Sequence, residues 1–249
     1  MNPNRIISLV PSQTELLFDL GLDDQVVGIT KFCIYPATKV KHKPIVGGTK
    51  TLNINKILTL QPDLIIANKE ENSREQIEAL QQHYPVHVTD IVTLPDALAM
   101  IREVGSLVGK KPEAEQIAHQ IETTLCPLPP TLRPSVAYFI WRKPYMVAAN
   151  DTFIHAMLEI AGFRNAFATQ TRYPEITPDE LQAAQPDLIF LSSEPYPFDE
   201  KHKEEFKAIC PSAKIMIVDG ELFSWYGSRL LQSSDYFRNL RNEIAQNNA

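Results

Sequence analysis

Gln61-Pro62-Asp63-Leu64-Ile65-Ile66 and Gln185-Pro186-Asp187-Leu188-Ile189-Phe190 are nearly the same six residues written twice, 124 positions apart. Each follows a short helical pattern, NINKILTL at 53–60 and TPDELQAA at 177–184. In each the Pro-Asp pair ends the helix, because a proline disfavours helical geometry in the residue before it, and the apolar run that follows reads as a buried strand. A second echo keeps the same order at an offset of 141: ELLFDLG at 15–21 and HAMLEIAG at 155–162, each an amphipathic helix ending on a glycine suited to a left-handed cap. Two matches in the same order point to a duplicated unit with unequal loops.

Working outward, each half reads as strand, helix, strand, helix, strand, helix, strand. The first-half strands are expected near Ile6–Leu9, Val26–Ile29, Leu64–Ala67 and Val86–Val88. Those of the second half are expected near Val136–Ile140, Tyr145–Ala148, Leu188–Leu191 and Lys214–Val218. Short apolar strands alternating with helices predict parallel sheets covered on both faces. Helix starts are marked by capping-box patterns at Ser12-Gln13-Thr14-Glu15 and Thr177-Pro178-Asp179-Glu180, with Asn72-Ser73-Arg74-Glu75 as a third. Leu94–Leu125 is helical in pattern, broken once at Gly109-Lys110-Lys111-Pro112 and ended by the Pro-rich run Cys126–Pro134. The predicted organisation is a first α/β lobe over 1–92, linking helices over 93–126 and a second α/β lobe over 127–249, with a stiff helical joint rather than a Gly/Ser linker.

The bulk properties exclude several classes. With 249 residues the chain can bury one large core or two small ones. Its 44% hydrophobic and 22% charged residues are ordinary for a globular protein. A net charge of −6, with no long Lys/Arg run, gives no footprint for nucleic acid. Apolar stretches reach only five or six residues, so no membrane insertion is expected. A strand-like segment begins almost at once, at Arg5, without the basic, apolar and small-residue pattern of a secretory signal. The chain as it stands is therefore expected in the cytoplasm, or in the periplasm if this is a mature form. Three cysteines, Cys33, Cys126 and Cys210, make no CxxC pair and leave an odd one over, which favours a reducing compartment.

The chain resembles the helical-backbone, metal-receptor type of substrate-binding protein, whose members carry cobalamin, haem and ferric siderophores to ABC importers. The resemblance covers nearly the whole chain. It rests on RIISLVPSQTELLFDLG (5–21), GGTKTLNINKILTLQPDLIIA (47–67), RYPEITPDELQAAQPDLIFL (172–191) and LFSWYGSRLL (222–231). It implies an α/β fold of two Rossmann-like lobes with parallel sheets joined by a long backbone helix, and a ligand held in the cleft between the lobes. The loop FCIYP (32–36) falls where the cobalamin-receptor branch carries a ligand-facing Tyr-Pro loop. Two features depart from the family: the absent export signal, and Arg74 at a position where an acidic importer-docking side chain is usual. Glu71 and Glu75 lie beside Arg74, and Glu194 is available for docking on the second lobe.

In an α/β lobe ligands sit on the loops beyond the carboxyl ends of the strands. In the first lobe those loops carry Ser12, Cys33, Tyr35, Gly48 and Asn68. In the second they carry Trp141, Lys143, Asp151, Arg172, Tyr173, Glu175 and Ser193, and the late segment adds Trp225, Tyr226 and Arg229. Both tryptophans fall on these loops, where a flat chelate would suit them, although they can equally pack an interface. Tyr35 and Tyr173 share a Tyr-Pro context. Arg172, Arg229 and Lys143 are candidate anchors for carboxylates or phosphates, or else ordinary salt-bridge partners of Glu175 or Glu194. For direct metal ligation only Cys33 with Tyr35, or His155, is tempting, and the bland reading of a buried cysteine stands beside it. No P-loop, GxGxxG, GxSxG or HExxH pattern is present, and nothing in the sequence fixes the distance between Glu175 and Asp151 as an acid–base pair.

The reading is a substrate-binding protein, not an enzyme. It has no intrinsic cofactor, and its ligand is a metal chelate (corrinoid, haem or ferric siderophore). It is expected to be a monomer serving an ABC permease. A cytosolic chelate-binding or sensing module without a permease is the first alternative, and an enzyme acting on a corrinoid or siderophore the second.

Overall fold

The structure is a computed structural model that describes residues 3–127 and 133–246. The middle of the Pro-rich run Cys126–Pro134 lies outside the described residues. The chain divides into two compact units. One comprises the chain through Ile91, Pro95–Thr123 and Trp225–Leu231, and the other comprises Val92–Leu94, Thr124–Ser224 and the chain from Gln232.

The first unit runs β1 (Ile6–Ser8), α1 (Pro11–Asp19), β2 (Val26–Ile29), α2 (Ala37–Val40), α3 (Ile54–Leu60), β3 (Leu64–Asn68), α4 (Arg74–Gln81) and β4 (Val86–Thr89). Two longer helices follow, α5 (Leu94–Leu107) and α6 (Lys111–Thr124). The strands form one parallel sheet in the order β2-β1-β3-β4, with Ile6 opposite Leu64 and Ile66 opposite His87. Ile7, Leu9, Val46, Ile57, Ile65 and Ala67 make its core. Past the end of α5, Gly109 turns the chain (φ 71°), and Lys110 N–H reaches back to the Gly105 carbonyl at 2.7 Å. That glycine is the break expected from the sequence. The two helices then pack so closely that a Cβ on Gly105 would sit 2.1 Å from that of Ala114.

The second unit runs β5 (Ser135–Trp141), β6 (Met146–Val147), α7 (Phe153–Ile160), β7 (Arg164–Asn165), α8 (Pro178–Ala184), β8 (Leu188–Ser192), α9 (Lys203–Ile209), β9 (Lys214–Val218) and α10 (Glu221–Ser224), with α11 (Leu230–Gln246) closing the chain. Its sheet order is β6-β5-β8-β9, and β7 also pairs with β5. Phe139, Val147, Leu181, Ile189, Leu191 and Phe206 lie in its core. One sequence expectation fails here. β6 is antiparallel to β5, not parallel. The physical reason is length: residues 142–145 alone join them, and a parallel partner needs a crossover of about a dozen residues or more.

Both echoes are repeated structural devices. Gln61 and Gln185 close their helices in the left-handed conformation, at φ 45° and 42°. The aspartate of each echo then pins the neighbouring strand. Asp63 accepts from the Asn4 and Arg5 backbone N–H groups at 2.9 and 3.0 Å, and Asp187 from the Ser135 N–H and hydroxyl at 2.7 and 2.8 Å. The paired glycines likewise share one cap. Leu22 N–H bonds Leu17 O and Gly21 N–H bonds Phe18 O, while Phe163 bonds Leu158 and Gly162 bonds Glu159 in the same two spacings.

The helix starts divide. Thr177 and Glu180 form the full reciprocal capping box. The pattern at Ser12–Glu15 does not, because Pro11 occupies the first helical position and Thr14 instead bonds Val10 O at 2.8 Å and Ser8 Oγ at 2.7 Å. At α4 the preceding Ser73 makes no side-chain cap, and Asn72 donates to the carbonyls of Leu9 and Thr49. No described helix is long and apolar enough to cross a membrane.

Candidate functional site

In the first unit the loops beyond β1 and β2 converge on the returning segment Trp225–Leu231. Cys33 sits at the centre of the β2 loop, buried, with its sulfur 3.1 Å from Thr14 Oγ1 and 3.2 Å from Thr30 Oγ1. Burial pushes the Cys33 thiol above its ordinary value, against the opposing bonds from Thr14 and Thr30. Cys33 therefore anchors the loop to α1 as a thiol, and the thiolate that metal ligation needs is disfavoured. Its neighbours Phe32 and Ile34 point outward, 49% and 46% exposed. Gly48 lies under the same loop, where a Cβ would meet Phe32 at 3.3 Å and Thr51 Oγ1 at 3.0 Å.

Tyr35 closes the loop. Its ring meets Trp225 edge-on, with centroids 5.7 Å apart and planes at 72°. Trp225 is 6% exposed, and Tyr226 is buried beside it. The guanidinium of Arg229 lies over both rings, 3.9 Å from the Tyr35 centroid and 5.2 Å from that of Trp225. Gly227 brings this segment against the first turn of α1. At φ 154° it adopts a backbone that side chains avoid, and a Cβ there would lie 2.9 Å from the Ser12 carbonyl oxygen.

Sequence reasoning missed the partner of Arg229. Its Nε and Nη2 donate to the two oxygens of Glu15 at 2.9 and 2.7 Å, in a buried bidentate pair. The sequence reads Glu15 as part of a helix cap and gives no sign that it meets Arg229. Burial raises the Glu15 pKa, and the Arg229 bonds work against that rise.

Asn68 was expected to face a ligand, and it faces inward. Its amide donates to Thr89 O and Oγ1 at 3.0 and 3.1 Å, and its oxygen accepts from the Glu70 and Glu71 N–H groups at 2.8 and 3.1 Å. It shapes the loop after β3 rather than presenting itself. Among the docking candidates, Glu75 is exposed and Glu71 half-buried, while the exposed Arg74 pairs with Glu78 at 2.7 Å.

The second unit gathers its own candidates in two places. Trp141 ends β5, 39% exposed, with Nε1 donating to Lys143 O at 3.1 Å and its ring edge-on to Tyr196 at 5.6 Å. Arg142 pairs through Nε and Nη2 with Glu205, at 2.9 and 2.6 Å, and Tyr145 also bonds that carboxylate. Elsewhere, Asp151 and Arg172 come together, both with left-handed backbones (φ 57° and 63°). Arg172 Nη1 donates to Asp151 O at 3.0 Å, and its guanidinium lies 5.8 Å from the Tyr173 centroid. Glu175 continues this segment alongside Met146.

Ser193 accepts from Gly220 N–H at 2.9 Å, and Glu194 accepts from the Ser224 hydroxyl at 2.7 Å. Both brace the turn into α10. His155 Nδ1 lies 3.3 Å from the buried Asn165 amide nitrogen. Among the described residues, no group of three or more His, Cys, Asp or Glu side chains is placed to hold a metal ion.

The chain belongs to the periplasmic binding protein family, whose profile matches residues 6–209. An uncharacterized ABC transporter substrate-binding lipoprotein YvrC of Bacillus subtilis is 28% identical over 201 residues, 75% of this chain and 63% of that protein, so the match spans less than two thirds of that relative. The vitamin B12-binding protein of Vibrio cholerae is 28% identical over 194 residues, 76% of this chain and 70% of its own length. The crystal structure of the periplasmic vitamin B12 binding protein BtuF of Vibrio cholerae superposes with a TM-score of 0.81 at 23% identity, covering 98% of both chains, and supports the α/β fold. The family is one of binding proteins, in agreement with the reading against an enzyme. It is also periplasmic by description, and the expectation of a cytoplasmic chain finds no support in it.

Proposed function

We propose that this protein is the periplasmic substrate-binding component of an ABC importer for a metal chelate, with a corrinoid as the leading ligand and haem or a ferric siderophore as the others. The observation that carries the reading is the aromatic surface of the first unit. Tyr35 meets the buried Trp225 edge-on and follows Phe32 and Ile34, which stand exposed on a loop that Cys33 ties to Thr14 and Thr30. A flat or macrocyclic chelate has large apolar faces, and such a wall removes them from water without demanding a matching charge. The 28% identical vitamin B12-binding relative supports the corrinoid. Trp141 and the Arg172–Tyr173 pair give the second unit ligand-facing groups of its own. Glu75 is the exposed acid offered to a permease, and the protein acts as a monomer.

Thermal unfolding against cobalamin, cobinamide, haem and ferric siderophores tests this. A ligand at about a hundred times its dissociation constant adds roughly 2.7 kcal/mol of stability. Trp225→Ala should weaken the active ligand by about tenfold or more, which is about 1.4 kcal/mol, with the fold intact. If no chelate shifts the transition, the reading fails.

A further inference from the structure

The cation closest to the aromatic wall of the first unit is already committed. Arg229 gives the edge that would grip a carboxylate, catecholate or phosphate to Glu15, through bonds of 2.9 and 2.7 Å. Its faces meet Tyr35 and Trp225. The two side chains of the pair are only 9% and 10% exposed. An ion pair so placed presents almost no net charge to whatever lies against the rings. The remaining charges on the nearby loops are mixed. Lys31 is exposed with Nζ 5.0 Å from the Phe32 centroid, Lys50 donates to the Glu70 and Asn72 carbonyls, and the Glu71 carboxylate bears on Cys33.

We propose that Glu15 sets the charge selectivity of this surface. By neutralising Arg229 it makes the first unit a receptor for chelates with an uncharged periphery, such as an amide-bearing corrinoid or a neutral ferric trihydroxamate. Anionic chelates, such as a ferric tricatecholate or a porphyrin carrying carboxylates, are disfavoured. The inference rests on the chelate-binding reading above. Glu15 acts through Arg229 and is a positioning residue. A purely structural role for the pair would change affinity for all ligands alike, whereas a charge role changes their ranking.

The test uses the full chain and calorimetric titration with cyanocobalamin, a ferric trihydroxamate and a ferric tricatecholate. The wild type should prefer the uncharged chelates by at least about tenfold. In Glu15→Gln that preference should shrink by about tenfold or reverse, because Arg229 loses the carboxylate that holds it through two hydrogen bonds. Binding of the tricatecholate by this variant should also weaken between about 0.05 and 0.5 M salt, while wild-type binding of the uncharged ligands stays level. If Glu15→Gln fails to fold, Arg229→Gln replaces it: the lone Glu15 carboxylate should sharpen the rejection of the anion. A wild type that binds none of the three overturns the chelate reading and this inference together. Chelate binding whose ranking and salt response are unchanged in the variants overturns this inference alone.

Discussion

Glu15 and Arg229 stand 214 residues apart in the chain and meet through two parallel hydrogen bonds, with the guanidinium stacked 3.9 Å from the Tyr35 ring centre. Removing one partner takes two charge-assisted hydrogen bonds from the other in a dry place, whereas replacing both with apolar groups loses the pair as a unit. Glu15→Ala is expected to cost about 3–5 kcal/mol in urea unfolding, and the double change Glu15→Leu/Arg229→Met should recover most of it. A loss in the double variant equal to the sum of the losses in the two single variants would show that the pair is not energetically coupled.

Gly227 is expected to be irreplaceable for a different reason. Its φ of 154° and the 2.9 Å approach of a would-be Cβ to Ser12 O leave no room for a side chain. Gly227→Ala should destabilise the fold by about 1–3 kcal/mol and loosen the Trp225 wall. Unfolding midpoints and the Trp fluorescence maximum report the two effects separately.

The three thiols should separate cleanly. Cys126 is exposed, whereas Cys33 and Cys210 are buried and burial raises both of their pKa values. A disulfide reagent at mildly alkaline pH should label Cys126 alone in the native protein and reach the other two only on unfolding. Rapid labelling of Cys33 would mean that the FCIYP loop opens.

Asp187 predicts an acid limb. The Ser135 backbone N–H and then its hydroxyl hold this carboxyl below its ordinary value of 3.8, while partial burial opposes them. A depressed folded-state pKa contributes stability that is complete above the unfolded value and disappears as pH falls through the folded one. The stability difference between wild type and Asp187→Asn should therefore be largest near neutrality and close in strong acid. A difference that stays constant with pH would remove Asp187 as its source.

The fold was legible where local chemistry decides it. The QPDL repeats announce two strand starts because the proline and the left-handed Gln before it act locally, whereas what each aspartate binds lies more than fifty residues away. Gly21, Gly109 and Gly162 announced helix ends for the same reason. β6 was misread in direction, since two residues of strand carry no signal of which way a partner runs. Asn68 looked like a ligand contact because it follows a strand, yet it satisfies the backbone of its own loop. Of the candidate site, the sequence shows which loops follow the strands and which aromatics they carry. What each cation would hold was not, because the Glu15–Arg229 pair spans nearly the whole chain and no pattern connects residues that far apart.

The return of Trp225–Leu231 to the first unit sets an order of events at the ribosome. Domains tend to fold as they emerge, amino-terminal first. Here the early unit lacks its tryptophan and its guanidinium until synthesis is nearly finished, and Glu15 waits as a lone carboxylate. A chain clipped before Trp225 therefore lacks the ring that meets Tyr35 and the guanidinium that meets Glu15 in the finished molecule.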